Sequence, residues 1–474
     1  MQTSGGDTIA GDLGSRGSFE AINQAKMPSA LTLRDQLAAG EISSREVTEH
    51  YLRQSEKLST LGAFVHLSEH ALADAARADQ NFMRGQIGKL HGLPTAFKDL
   101  NEIAGMPTSY GTAAMKHVTA LRDHPMVSQL RAEGMIFTGK TQVPEFGLSS
   151  YSENLVAAPS RNPLNPTASS GGSSGGQAAA IAAGMIPFGP GSDGGGSVRI
   201  PAAACGLVGL KPALGRIPAD VHDGYYDSLG APKFTVSGPL ARDAKDAALL
   251  LDAMVGGDRY LGLLSDASVD SLRGLRIGYS THSPFESTYE ISLSSAARQA
   301  FQTGLRILES RHHLSEAKLR YAQDYPETFL TIWTNGLQHL KLTDEQALGT
   351  LAKGFRRRAQ LRSESTALTA AARIKQIAAD FITQWSAYDV VATPAMAETP
   401  PPIGHYTQHD ADTDYRLQCQ YTPYTSMVNV AGCAAITVPV SHSADGMPMS
   451  IQLISPRGNE GELLILAHQL LSGA

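Results

Sequence analysis

Apolar positions recur at helical spacing over residues 31–58, where Ser43 or Ser44 stands ready to cap REVTEHYLRQSEKL and Val47, Tyr51 and Leu52 share a face. A second amphipathic helix, rich in alanine, is predicted over 68–84. The period then falls to two. Across 93–100, Ala96, Lys98 and Leu100 lie on one face of a strand and Phe97 and Asp99 on the other. Residues 126–140 read as helix then strand, and the pair repeats in a helix ended by Gly256-Gly257 and a strand over 275–279. Such alternation predicts an α/β fold.

Residues 280–387 differ in texture, being more charged, poorer in glycine and mostly helical. Ala297, Phe301, Leu305 and Leu308 form one apolar stripe, and Ile374, Ala378, Phe381 and Trp385 another; both are expected in the core. This segment is expected to be an inserted helical lid. Strand character resumes with YDVVATPAM and AAITVPVSHSADGMPMSIQLIS, a hairpin turning at Asp445-Gly446, and EGELLILAHQLL makes a final helix. Residues 1–27 carry no period and read as a flexible tail, leaving 28–474 as a single domain.

Composition narrows the partners. The 474 residues carry a net charge of −6, from 39 basic and 45 acidic side chains, and no basic block exceeds Arg356, Arg357 and Arg358. Nucleic acid is therefore not expected to bind. No apolar run reaches the length of a membrane span and the start lacks a secretory core, so a cytoplasmic protein is expected. The three cysteines, Cys205, Cys419 and Cys433, are too scattered for a disulfide framework or a paired zinc site, and each reads as a small buried hydrophobe. Neither metal nor cofactor is expected.

The chemistry concentrates in 171–199, GGSSGGQAAAIAAGMIPFGPGSDGGGSVR, which sets Ser173 and Ser197 among glycines. Without Cβ atoms the backbone can approach a ligand and leave peptide N–H groups free to meet an anion. A flexible linker would lack the apolar AAAIAAGMIPF. Gly189, Gly191 and Gly194 also match a dinucleotide fingerprint, but Pro190 interrupts it and Pro201 cuts short the helix it needs. Gly172, Ser174 and Gly176 match a nucleophile elbow, although PTASS before them is a poor strand. That reading would make the protein an α/β-hydrolase-like esterase using Ser174 with a histidine such as His442. Lys98, flanked by apolar neighbours on its own face, is either a snorkelling surface residue or a buried base.

HGLPTAFKDL, GGSSGG, SDGGGSVRIPAAACGLVGLKP, SGPLARDAKDAALLLD and VPVSHSADGMPMSIQL together resemble the amidase signature family. The similarity runs from about residue 31 to the C-terminus and is weakest over 280–387. Lys98, Ser173 and Ser197 stand at the spacing of that family's triad. The resemblance implies a large mixed central sheet flanked by helices on both faces. It also implies roles: Ser197 as nucleophile, Ser173 as a bridging serine on a cis peptide bond after Gly172, and Lys98 as base. Three positions depart from the common pattern: Ser170 where proline is frequent, Gln177 where a smaller residue is, and Gly194 where threonine is.

The chemistry agrees with that assignment, because a serine hydroxyl needs a neighbouring base and burial makes a lysine neutral enough to serve. The N–H groups of Gly194, Gly195, Gly196 and Ser197 are candidates for an oxyanion hole, worth roughly 3–4 kcal/mol per donor. Asp193 and Arg199 brace the loop or else form a surface ion pair. Gly147, Ser149 and Trp333 are candidate substrate contacts. The expected reaction is hydrolysis of linear or cyclic C–N bonds other than peptide bonds through an acyl-enzyme, on a small-molecule amide. A homodimer is left open, as is the family's amidotransferase A-type subunit, which works with partner subunits.

Overall fold

The computed structural model describes residues 27–473, so the expectation of a flexible tail falls almost wholly outside the described residues. The first helical stretch is two helices, Ala30–Ala39 and Ser44–Lys57. Ser43 caps the second one, accepting from the Glu46 N–H while the Glu46 carboxylate accepts from the Ser43 N–H, a reciprocal capping box. A small sheet follows, of β1 (Phe64–Leu67), β2 (Pro94–Lys98) and β3 (Ile136–Thr141). Its order is β1-β3-β2, with β2 and β3 parallel. The alternation expected in β2 is present, with Phe97 packing edge-on against Phe137 and Ala96 turned to a separate alanine-rich cluster.

Eight further strands form the central sheet: β4 (Gly189–Asp193), β5 (Val208–Lys211), β6 (Val236–Ala241), β7 (Arg276–Tyr279), β8 (His313–Glu316), β9 (Val390–Pro394), β10 (Ala434–His442) and β11 (Pro448–Ser455). Their order is β8-β7-β9-β11-β10-β5-β6-β4. The pairs β7 with β8 and β7 with β9 are parallel and the others antiparallel, so the sheet is mixed.

Both faces of this sheet are covered, and the side-chain period of two shows how. Val390, Ala392, Ala434, Ile436 and Leu453 face the main core, beneath the helices Ala244–Val255, Ser295–Glu309 and Glu460–Gly473. Their neighbours Val391, Ala435 and Ile454 face a second, aromatic core under Tyr325–Asn335 and Glu364–Trp385. Both predicted stripes are core, on opposite faces. Part of 280–387 belongs to the sheet itself, since Ser295–Glu309 and β8 complete a strand-helix-strand unit. The remaining helices, from Tyr325 to Trp385, form a cap.

The Ala-rich helix Gly175–Ala182 is buried along its whole length. A Cβ on Gly176 would meet the Gln142 backbone nitrogen at 2.3 Å, so only glycine lets the helix approach β3 this closely. Among the described residues no helix is long and apolar enough to cross a membrane.

Leu453 and Ile454 are both fully buried, on opposite faces. Truncating either to alanine is expected to cost about 2–5 kcal/mol in urea unfolding. A cost under about 1 kcal/mol for Ile454→Ala alone would show that the aromatic core does not pack on the sheet.

Candidate active site

Lys98 closes β2 and Ser192 lies near the end of β4, so the two sheets meet at the lysine. Its Nζ is fully buried and donates to Ser173 Oγ (2.9 Å), Ser192 Oγ (2.8 Å) and Ser192 O (3.2 Å). The surface alternative for Lys98 is excluded by that burial. Desolvation pulls the ammonium down to about 7, against the opposing pull of the Asp193 carboxylate.

Ser173 occupies the turn ahead of Gly175–Ala182, and the Gly172–Ser173 peptide bond is cis. Ser197 stands in the loop between β4 and the helix Arg199–Cys205, and the Ser174 N–H donates to Ser197 O at 3.2 Å, fastening the two serine-bearing turns together. Ser173, Ser192 and Ser197 all line one open cleft of about 590 Å³. Ser197 also lines a smaller chamber of about 60 Å³ beneath the cap.

The loop is held by a buried ion pair. Asp193 and Arg199 are both fully buried, which excludes the surface reading, and Arg199 Nε and Nη2 donate to the Asp193 carboxylate at 3.0 and 2.9 Å. Burial alone would raise the Asp193 pKa, yet Arg199, Lys211 and Asn429 together hold it well below the usual carboxylate range. The same carboxylate accepts from the N–H groups of Gly196 (2.7 Å) and Val198 (3.1 Å). Thr425 Oγ1 donates to Gly195 O at 2.6 Å, so both ends of the peptide joining Gly195 to Gly196 are engaged. This corrects the expected set of oxyanion donors. Gly196 N–H is committed to Asp193, leaving Gly194, Gly195 and Ser197 as the candidates.

Of the expected substrate contacts, Gly147 and Trp333 line the open cleft, and Ser149 and Trp333 line the chamber. The Ser174 reading loses its basis. Ser174 is fully buried, its Oγ donates to Ser192 O at 3.4 Å, and His442 sits at the exposed end of β10. The dinucleotide reading fails on geometry, since Gly189 and Gly191 lie inside β4, paired with β6, instead of opening a helix. Among the described residues no group of three or more His, Cys, Asp and Glu side chains is placed to hold a metal ion.

Sequence reasoning missed Ser192, Thr425, Asn429 and Gln452. Arg199 Nη1 donates to Thr425 O (2.9 Å) and Gln452 Oε1 (2.6 Å), and Nη2 to Asn429 Oδ1 (2.7 Å). These partners lie more than 220 positions away along the chain, where no local pattern could reveal them. Ser192 had a signal, its place directly before Asp193 in the serine-glycine loop.

Similarity to known proteins gives the class, an amidase. A family model described as Amidase matches residues 46–464, and the chain belongs to the amidase signature family. It is 36% identical over 449 residues to the protein named AmiB2 of Mycobacterium tuberculosis (strain ATCC 25618 / H37Rv), covering 92% of this chain and 94% of that one. A solved structure of 6-aminohexanoate cyclic dimer hydrolase complexed with substrate superposes with a TM-score of 0.81 at 26% identity, covering 94% of this chain and 97% of that one. A bacterial aryl acylamidase shares the fold, with a TM-score of 0.81 at 21% identity and coverage of 94% and 96%.

Removing the guanidinium would leave Asp193 buried without its main partner. Arg199→Ala is expected to lower stability by about 3–5 kcal/mol in urea unfolding, and Arg199→Lys to recover only part of it because an ammonium cannot reproduce the two-pronged contact. A lysine variant as stable as the parent would show that charge alone holds the loop.

Proposed function

We propose that the protein hydrolyses carboxylic amides through an acyl-enzyme on Ser197, with Lys98 as base acting through Ser173. The observation that carries this reading is the buried contact from Lys98 Nζ to Ser173 Oγ, in a cleft that Ser197 also lines. Ser197 Oγ attacks the carbonyl carbon, and its proton passes to Ser173 as the Ser173 proton moves to Lys98. The oxyanion takes N–H donors from the 194–197 loop, with Gly194, Gly195 and Ser197 the groups free of Asp193. When the C–N bond breaks, Ser173 returns a proton to the departing nitrogen and is reprotonated by Lys98. Water then attacks the ester along the same relay and releases the acid. No cofactor enters any step. The domain is proposed to span 28–474, with the cap shaping the pocket.

A fluorophosphonate is expected to add once, on Ser197, as read by intact mass and peptide mapping. Ser197→Ala should lose both the adduct and amide hydrolysis, by several orders of magnitude, since the group that bonds to carbon is gone. An adduct mapping to Ser174, or full turnover by the alanine variant, would overturn the assignment.

The pH dependence follows from Lys98. Burial depresses its pKa, so the neutral amine that the relay needs is present above about 7 and is lost as pH falls through that value. kcat/KM should therefore drop about tenfold per pH unit on the acid side and level off on the alkaline side. Lys98→Arg keeps the charge but stays protonated across the range, so it should lose roughly 10²–10⁴-fold in activity. An arginine variant with near-normal activity and an unchanged profile would mean that the proton goes elsewhere.

A further inference from the structure

Two cavities meet at Ser197, and they differ in size, in charge and in which member of the relay they contain. The open cleft, about 590 Å³, is lined by Ser173 and Ser192 as well as Ser197. The chamber under the cap, about 60 Å³, is lined by Ser197 and Gly195, while Ser173 belongs to the cleft alone. Trp333 borders both.

We propose that the amide lies across Ser197 in one orientation, with a short, uncharged, apolar acyl group filling the chamber and the amine leaving through the open cleft. The assignment rests on the roles given above to Ser197 and Ser173. A departing nitrogen must be protonated as the C–N bond breaks, and Ser173 is the group that returns the proton. The nitrogen therefore has to stand on the side that Ser173 faces, which is the cleft. The acyl chain, on the other side of the carbonyl carbon, is directed to the chamber.

The chamber's size and lining then define the acyl group. Its free volume of about 60 Å³ is about a tenth of the cleft's 590 Å³, so it takes the smaller of the two halves of the substrate. Ile200, Phe285, Phe329, Trp333 and Cys419 supply apolar walls, with Phe329 stacked on Trp333 at 5.9 Å. Among the described residues no charged side chain lines it.

Most of its polar side chains are already engaged. Ser150 Oγ donates to Gln418 Oε1, Gln418 Nε2 to Asp414, and Thr422 Oγ1 to Gln418 O. Ser426 Oγ pairs with the Tyr325 hydroxyl and Ser149 Oγ donates to Tyr151 O, while the Tyr415 hydroxyl is buried without a hydrogen-bond partner and offers a neutral group, not a counter-charge. An acyl chain ending in a carboxylate or an ammonium would be stripped of water here and find no counter-charge. The cleft is the opposite, with Asp220, Asp223, Asp227, His124, His222 and Lys233 around it and room for a bulky, polar amine.

The test holds the amine constant as p-nitroaniline and varies the acyl group through acetyl, butyryl, hexanoyl, decanoyl and succinyl. kcat/KM is expected to peak at butyryl or hexanoyl and to be at least about tenfold lower for decanoyl and for succinyl. With a butyryl group fixed and the amine enlarged from ammonia to a lysine side chain, kcat/KM should vary less than about tenfold. Cys419→Leu, which fills the chamber, should move the acyl optimum toward acetyl. Cys419→Ala, which enlarges it, should move the optimum to longer chains, so a poorly folding leucine variant leaves the direction testable. Acid-quenched enzyme analysed by intact mass and peptide mapping separates the two levels of argument. Decanoyl or succinyl accumulating on Ser197 as fast as butyryl would overturn the orientation and leave the nucleophile in place. Acyl adducts absent from Ser197 with every donor would remove the reading on which the orientation rests.

Discussion

A single carboxylate, that of Asp193, fixes the geometry around the serine turns. An ionised group with no exposure is tolerated only when its lone pairs are filled, and here Arg199, Asn429 and the N–H groups of Gly196 and Val198 fill them. Arg199 is in turn anchored to Gln452 in β11 and to Thr425 O. The glycine-rich loop, which on its own would sample many conformations, is thereby tied to the centre of the sheet. The same charge acts on Lys98. Burial drives the lysine toward the neutral amine, Asp193 draws it back, and the balance near 7 is a property of the pair's surroundings, not of either side chain alone.

The sheets explain why these groups converge. β2 delivers Lys98 and β4 delivers Ser192 and Asp193, while the Ala-rich helix behind Ser173 can pass between them because its first residues are glycines. A Cβ on Gly175 would meet Ser152 Oγ at 2.4 Å, so the small side chains are a packing requirement at the start of that helix. The central sheet, covered on both faces, provides the rigidity, and the cap on its aromatic face adds Phe329 and Trp333 to the walls of the chamber. The candidate site is thus built from strand ends and tight turns, and its shape comes from the elements laid over them.

What could be read in the sequence was what is local. The period of two in β2, the helix stops at glycine, the hairpin at Asp445-Gly446 and the serine-glycine turns all depend on neighbours within a few residues. β8 escaped because HLSE is an edge strand whose side chains are mostly exposed, so it carries no apolar alternation and reads as part of a charged helical stretch. The helix Ser295–Glu309 was legible as amphipathic, but its face gives no indication that it packs on the sheet instead of in a lid. Asn429, Thr425 and Gln452 act only through folding, which brings them to Arg199. The commitment of the Gly196 N–H to Asp193 is likewise a fact of backbone direction, which residue type does not encode.

Gly194 joins the loop to the cap and gives one of the three departures from the family pattern a physical cause. A Cβ at that position would lie 2.7 Å from Thr235 Oγ1 and 2.8 Å from the Trp333 ring, both closer than side-chain carbons ordinarily approach. The indole therefore occupies the space that a threonine side chain would need. Trp333 is held there by the stack of Phe234, Phe329 and Trp333. Glycine in the loop and tryptophan in the cap are two halves of one packing solution. Since Trp333 borders both cavities, that solution also shapes the space in each, and a residue that reads as a simple family deviation in sequence has a packing cause in the cap.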